Sequence, residues 1–178
     1  MEMYDYAIDY VKLLSSKPSK IVPYTWDTDI IKTYIDTNNI LKNAQRNHSK
    51  INLLLFEPNM SVHKNALIPL LICDEYNKKF PNKLNKVYTF CSDTVIKNMD
   101  STFINNLSII NENKLETYGR IIMPYIVNLI EKNNEYINVV VSYNVLNRLN
   151  FLHLEMFYMG IPIVHNCSPF EKNGYYFQ

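Results

Sequence analysis

The sequence predicts an α/β protein: a parallel sheet with helices on both faces. Three observations lead there. Short, mostly apolar runs such as INLLLF (51–56) and INVVV (137–141) read as strands buried on both faces, as strands of parallel sheets are. These runs alternate with stretches long enough for helices, which implies crossovers that cover both faces. At 178 residues the chain has room for one such domain with an appendage, and enough core to fold without a disulfide or metal staple.

The elements follow in order. Residues 3–16 carry Tyr6, Ile8, Val11 and Leu14 near helical spacing and stop at Lys17-Pro18. IVPYTWDTD (21–29) is an apolar stretch broken by Pro23; 29–41 reads as a second helix and NAQRNHSK (43–50) as a connector. Residues 1–50 are thus expected to form a mostly helical appendage, and 51–178 the sheet domain. After the strand INLLLF, EPNMS offers Ser61 as a helix cap, and 62–79 reads as a helix kinked at Pro69. KVYTF (86–90) is the second strand, and a short helix opens at Ser92 or Asp93. LSII (107–110) reads as the third strand. Residues 114–132, with Leu115, Ile122, Tyr125, Ile126 and Ile130, read as one long helix. INVVV is the fourth strand and the most β-branched run. Residues 147–159 form a helix with Gly160 at its left-handed end; IPIVHN (161–166) is the fifth strand and GYYF (174–177) starts a sixth.

Composition excludes several classes. Lys and Arg number 18 against 17 Asp and Glu, a net charge of +1, so no global field exists to hold a nucleic-acid backbone. No run approaches the roughly 20 apolar residues of a membrane span. The N-terminus MEMYDYAIDYVK has neither the basic start nor the apolar core of a signal peptide. Cys73, Cys91 and Cys167 are odd in number and widely spaced, which fits a reducing, cytoplasmic setting and core roles, Cys167 being the one expected nearest the surface. The chain is rich in Asn, Lys, Ile and Tyr and poor in Gly, Ala and Arg, the bias of an A/T-rich genome, viral or low-GC bacterial.

In an open parallel sheet, ligands bind beyond the carboxyl ends of the strands. Four polar loops fall there: Glu57-Pro58-Asn59-Met60-Ser61, Cys91-Ser92-Asp93, Ser142-Tyr143-Asn144 and His165-Asn166-Cys167-Ser168. With Gly119, Gly160 and Gly174 as the only glycines, a glycine-rich phosphate cradle is excluded. A phosphate is left with a helix N-terminus, best the one opening at Ser61, with Lys64 one turn in. Asn147, Arg148, Asn150 and Glu155 lie on or near one helix. Glu155, between Leu152, Leu154, Met156 and Phe157, needs a partner if buried, and a sugar or ribose diol suits it. His165 is a candidate acid or base near pH 7, with His63 and His153 as alternatives. The histidine and cysteine spacings make no metal site, and no GxSxG elbow is present. Trp26 is expected to pack the appendage on the sheet, and Tyr175-Tyr176-Phe177 to form a terminal strand.

The layout FEPNxxxxKxxxxPLLICDE, then LNxLNFLHLEMFYMGIPIVHN, then GYYF, resembles the C-terminal half of GT-B glycosyltransferases. It is most similar to a poorly characterised glycosyltransferase-like family of bacteria and large DNA viruses, in which a VPYxWD-type stretch, here Val22-Pro23-Tyr24-Thr25-Trp26-Asp27, precedes the donor-binding domain. The resemblance covers most of residues 20–178 and is most specific over 146–166. It implies a Rossmann-like domain, half of a GT-B fold, that binds a nucleotide diphosphate sugar as donor, with no metal or other cofactor required. Glu155, followed by Gly160-Ile161-Pro162, matches the glutamate that holds the nucleotide ribose. Asn147 stands where the first glutamate of the Glu-x7-Glu pair would be. Lys64 matches a basic residue for the diphosphate, and Glu57-Pro58-Asn59 replaces its usual arginine. Asn59, Ser61, Arg148, Asn150 and Asn166 line the implied donor site, with Glu57 and His165 in the catalytic positions. The acceptor, a glycan, protein or lipid, is left open. The chain is too short for both GT-B domains, which implies a missing N-terminal domain or a shortened half that pairs with itself. The alternative is a non-catalytic α/β interaction module derived from such an enzyme. A flavodoxin-like or response-regulator-like domain suits the size but lacks its acidic cluster and its flavin loop.

Overall fold

The computed structural model describes residues 26–33, 46–57, 65–98, 100–132, 135–145 and 150–177. Its centre is a six-stranded sheet with every pairing parallel. The strands are β1 (Asn47–Leu55), β2 (Leu84–Phe90), β3 (Leu115–Tyr118), β4 (Tyr136–Ser142), β5 (Ile163–His165) and β6 (Tyr175–Tyr176). Their order, β3-β2-β1-β4-β5-β6, is that of the Rossmann-like doubly wound fold, with the reversal between β1 and β4. The α/β reading therefore holds.

Alternation along the strands divides the core in two. Leu53, Leu55, Val87 and Val141 face one side, where α2 (Leu67–Lys79) supplies Leu70 and Cys73. Leu54, Tyr88, Phe90, Val140 and Ile163 face the other, under α6 (Met123–Lys132) and α7 (Phe151–Tyr158), which supply Ile126, Val127, Ile130 and Met156. Asn52 interrupts the apolar run of β1 without cost because it is paired. Its Nδ2 donates to Asn138 of β4 at 3.2 Å, and its Oδ1 accepts from Asn85 of β2 at 2.9 Å, which pins the register of three strands.

The edges of the sheet differ from expectation. LSII is no strand: Ser108–Asn111 forms a helical turn, α5, after α3 (Asp93–Asn98) and α4 (Ser101–Asn105). The cause is tertiary. Asp74 of α2 accepts from the Ser108 hydroxyl at 2.8 Å and the Ile109 amide at 3.1 Å, capping the turn from outside its own sequence. Residues 114–132 are likewise not one helix. Asn113, in the left-handed region at φ 54, turns the chain, Leu115–Tyr118 pairs with β2 as an edge strand, and α6 begins at Met123 with Pro124 in its first turn. Similarly, α2 starts at Leu67, with Asn65 Oδ1 accepting from the Leu67 amide at 2.7 Å. Pro69 therefore lies in the first turn, where its missing N–H costs nothing, and makes no kink. The expected start at Ser61 lies outside the described residues.

β1 begins at Asn47, inside the stretch read as a connector. Of the N-terminal appendage, the helix at 3–16 lies outside the described residues, and of 29–41 one turn is described, α1 (Asp29–Lys32). Ile31 of that turn is fully buried in the α6/α7 layer, and Trp26 packs edge-on to Tyr158 at 6.1 Å, so this piece closes one face of the sheet domain. The end of α7 follows expectation. Gly160, at φ 63, ends the helix, with its N–H on Phe157 O and that of Ile161 on Met156 O. Among the described residues no helix is long and apolar enough to cross a membrane.

Candidate functional site

The carboxyl ends of β1 and β4 flank the point where the strand order reverses, the place at which folds of this class open a crevice. Here that point holds a buried polar cluster. Glu57, two residues beyond β1, is 2% exposed. Its Oε1 accepts from the Ser142 hydroxyl, at the end of β4, at 2.5 Å. Its Oε2 is buried and has no hydrogen-bond partner among the described residues. Burial drives the carboxyl pKa up to about 7; the Ser142 hydroxyl and the main-chain amides of Glu57, Phe56 and Tyr143 offset only part of the desolvation. Below, the Ser92 hydroxyl donates to the Glu57 carbonyl at 3.1 Å and ties the loop after β2 to the same place.

Ser142 is the hub. Val139 and Val141 face the α2 layer, so Ser142, like Val140, faces α7. From α7, His153 brings Nε2 to 2.8 Å of Ser142 Oγ, and Asn144 Nδ2 donates to the same oxygen at 2.9 Å. Ser142, His153 and Asn144 are all buried. The Asn144 Oδ1 is a second buried acceptor with no partner among the described residues. The arrangement is not a hydrolase triad, because the carboxyl group lies on the serine and not on the far side of the histidine.

The sequence-derived candidates divide. Glu57 is at the cluster. His165 is beside it, its ring 5.5 Å from that of His153, but not as an acid or base with a free nitrogen. Its Nδ1 accepts from the Cys167 amide at 3.1 Å and its Nε2 donates to the Asn173 carbonyl at 2.7 Å, so both nitrogens hold main chain. Gly174, at φ +68, allows that approach; a Cβ there would meet Ile163 O at 2.8 Å. Asn166 is placed as a clamp: it accepts from the Asn144 amide at 2.9 Å and donates to the Asn144 carbonyl at 3.0 Å, adding one rung between the loops after β4 and β5. Asn150 is the N-cap of α7, accepting from the Leu152 amide at 3.2 Å. Glu155 is half-buried on α7, and burial raises its pKa. Asn59, Ser61, Lys64, Asn147 and Arg148 lie outside the described residues.

Cys167, expected nearest the surface, is buried at 3% because its amide is drawn in by His165; Cys91 is the more exposed thiol. Sequence reasoning placed Ser142 and Asn144 in a rim loop and His153 among the alternatives, without joining them to Glu57. The available signal was a serine closing an apolar strand: buried there, it needs a partner. Among the described residues no group of His, Cys, Asp and Glu side chains is arranged to hold a metal ion.

No curated protein and no solved structure matches the chain. A family profile does, over residues 2–178, and its description is "Protein of unknown function (DUF2827)". A match over nearly the whole sequence places the chain in that family: it belongs to the DUF2827 proteins.

Proposed function

We propose that the chain is the donor-binding domain of a glycosyltransferase that uses a nucleotide diphosphate sugar. The observation that carries the reading is Glu155. It is a half-buried carboxyl on the helix that opens beside the β1/β4 crevice, and burial, with no charged group among the described residues to offset it, raises its pKa. A partly desolvated carboxylate is a good acceptor for the paired hydroxyls of a ribose. In this reading Glu155 holds the ribose, the diphosphate lies over the loop after β1 near Lys64, and the donor sugar reaches toward Glu57. Transfer then depends on holding the donor in line and stabilising the departing nucleoside diphosphate.

The test is calorimetric titration with UDP, GDP and their sugars, first on the parent chain and then on Glu155→Ala. The expected result is binding of one nucleotide class, weakened in the variant by about 1–3 kcal/mol, the range for a lost hydrogen bond to a charged group. Unchanged affinity in a folded variant refutes the assignment of Glu155. A second reading, a non-catalytic interaction module on the same fold, is favoured by one observation: His165 and Asn166 spend their polar atoms on main chain. No binding and no rise in melting temperature across the nucleotide panel would select it.

A further inference from the structure

We propose that the Ser142 hydroxyl makes Glu57 and His153 a single proton relay across the β1/β4 crevice, so that the protonation of Glu57 and the tautomer of the His153 ring change together. The geometry follows from counting hydrogens. Among the described residues, Ser142 Oγ has three neighbours within hydrogen-bond distance: Glu57 Oε1 at 2.5 Å, His153 Nε2 at 2.8 Å and Asn144 Nδ2 at 2.9 Å. A hydroxyl donates once and accepts twice. The Asn144 amide can only donate, which fills one acceptor position. One O–H and one lone pair remain for Glu57 and His153, so one of the two must accept from Ser142 while the other donates to it.

Two arrangements keep both shared protons in the line from Glu57 to His153; a carboxyl proton on Oε2 instead has no acceptor among the described residues. With Glu57 ionised, the Ser142 proton points to Oε1 and His153 carries its proton on Nε2. With Glu57 neutral, its own proton points to Ser142, the Ser142 proton points to Nε2, and His153 carries its proton on Nδ1. The step between them is balanced. A proton arrives at His153 Nδ1, the Nε2 proton moves to Ser142 Oγ, and the Ser142 proton moves to Glu57 Oε1. The imidazole starts and ends neutral, as its full burial favours.

Among the described residues, the other groups near the cluster do not compete. Cys73, from α2, feels the Glu57 charge, but burial raises its thiol pKa far above neutrality. Asp74, next to it, is held ionised by Lys78, Ser108 and the Ile109 amide. His165, from β5, has both nitrogens on main chain. Among the described residues Glu57 is left to titrate, in the neutral range to which burial brings its carboxyl, and the His153 tautomer follows it. The Glu57–Ser142–His153 cluster therefore carries one negative charge on the alkaline side and none on the acid side. If it receives a nucleoside diphosphate, a consequence that rests on the proposed function, the anion meets less repulsion as pH falls.

The relay itself is tested without ligand, on the whole chain labelled with 15N-histidine and 13C-glutamate. Imidazole nitrogen shifts report which ring nitrogen carries the proton, with His153→Gln to assign the signals. The expected result is one shared midpoint near pH 7, at which Glu57 loses its proton and the His153 proton moves from Nδ1 to Nε2. Ser142→Ala should split that midpoint in two, and Ser142→Thr, which keeps a hydroxyl, should restore it. Separate midpoints in the parent chain, or a shared one that survives Ser142→Ala, overturn the proposal. The parent spectra decide the question even if the alanine variant does not fold.

Discussion

Asp74, in the middle of α2, and Glu57, at the carboxyl end of β1, are both buried carboxyl groups, and their surroundings push them in opposite directions. Burial alone would raise the pKa of either. At Asp74, the Lys78 ammonium 2.8 Å from Oδ2, the Ser108 hydroxyl and the Ile109 amide together outweigh it and hold the carboxyl below its ordinary range. At Glu57, the Ser142 hydroxyl and nearby main-chain amides offset only part of the cost, Oε2 has no hydrogen-bond partner among the described residues, and burial wins. The first group is finished by its own fold. The second is left incomplete at the place where the sheet offers a binding crevice. A structural carboxylate is recognised by the cation and donors that compensate its burial, and a poised one by an uncompensated oxygen at a functional position.

The sharpest way to break this comparison is Asp74→Ala. It removes the side-chain acceptor of the Ile109 amide and the Ser108 hydroxyl and the carboxylate partner of Lys78, and should cost about 2–4 kcal/mol in urea unfolding. A loss below about 0.5 kcal/mol would remove the distinction.

Glu57→Gln should do the reverse. The unfolded chain gives up this proton near 4.5 and the native chain near 7, so the native state binds more protons between those values. Stability therefore falls as pH rises through that window, by at most about 3 kcal/mol at roughly 1.4 kcal/mol per pH unit. The glutamine variant should gain up to that amount over the parent at pH 8 and little at pH 4. Parallel stability profiles for the two proteins would show that Glu57 is not destabilised by its burial. Asp74 contributes with the opposite sign, its share being lost as pH falls below its ordinary value of 3.8.

The smallest expected effect is at α7, which carries both His153 and Glu155. Asn150→Ala removes its N-cap and should cost about 1 kcal/mol in thermal or urea unfolding. A neutral result would mean that packing, and not the cap, fixes where the relay histidine stands.

The centre of the sheet was legible because the residues that make it are apolar on both faces: INLLLF, VYTF, INVVV and IPIV all fall on strands or their immediate ends. The edges were harder. LETY has Glu116 and Thr117 in its middle because it borders β2 alone, so it shows no buried run. LSII has the composition of a strand but is capped into a turn by an aspartate 35 positions away. The rim was legible as a set of loops, yet the roles within it were not. His165 is polar at the end of a strand for the sake of Cys167 and Asn173 main chain, which no spacing rule displays.

What this sequence determined by itself is the succession of elements and the face each presents, since apolar period, caps and breakers act between residues close along the chain. Which polar groups meet was decided by tertiary structure alone. Glu57 and Ser142 are 85 positions apart, and they touch because the strand order reverses between β1 and β4 and sets those two strands side by side. Burial at that junction then decides that the pair excludes water, and with it that a glutamate of ordinary chemistry titrates near neutrality.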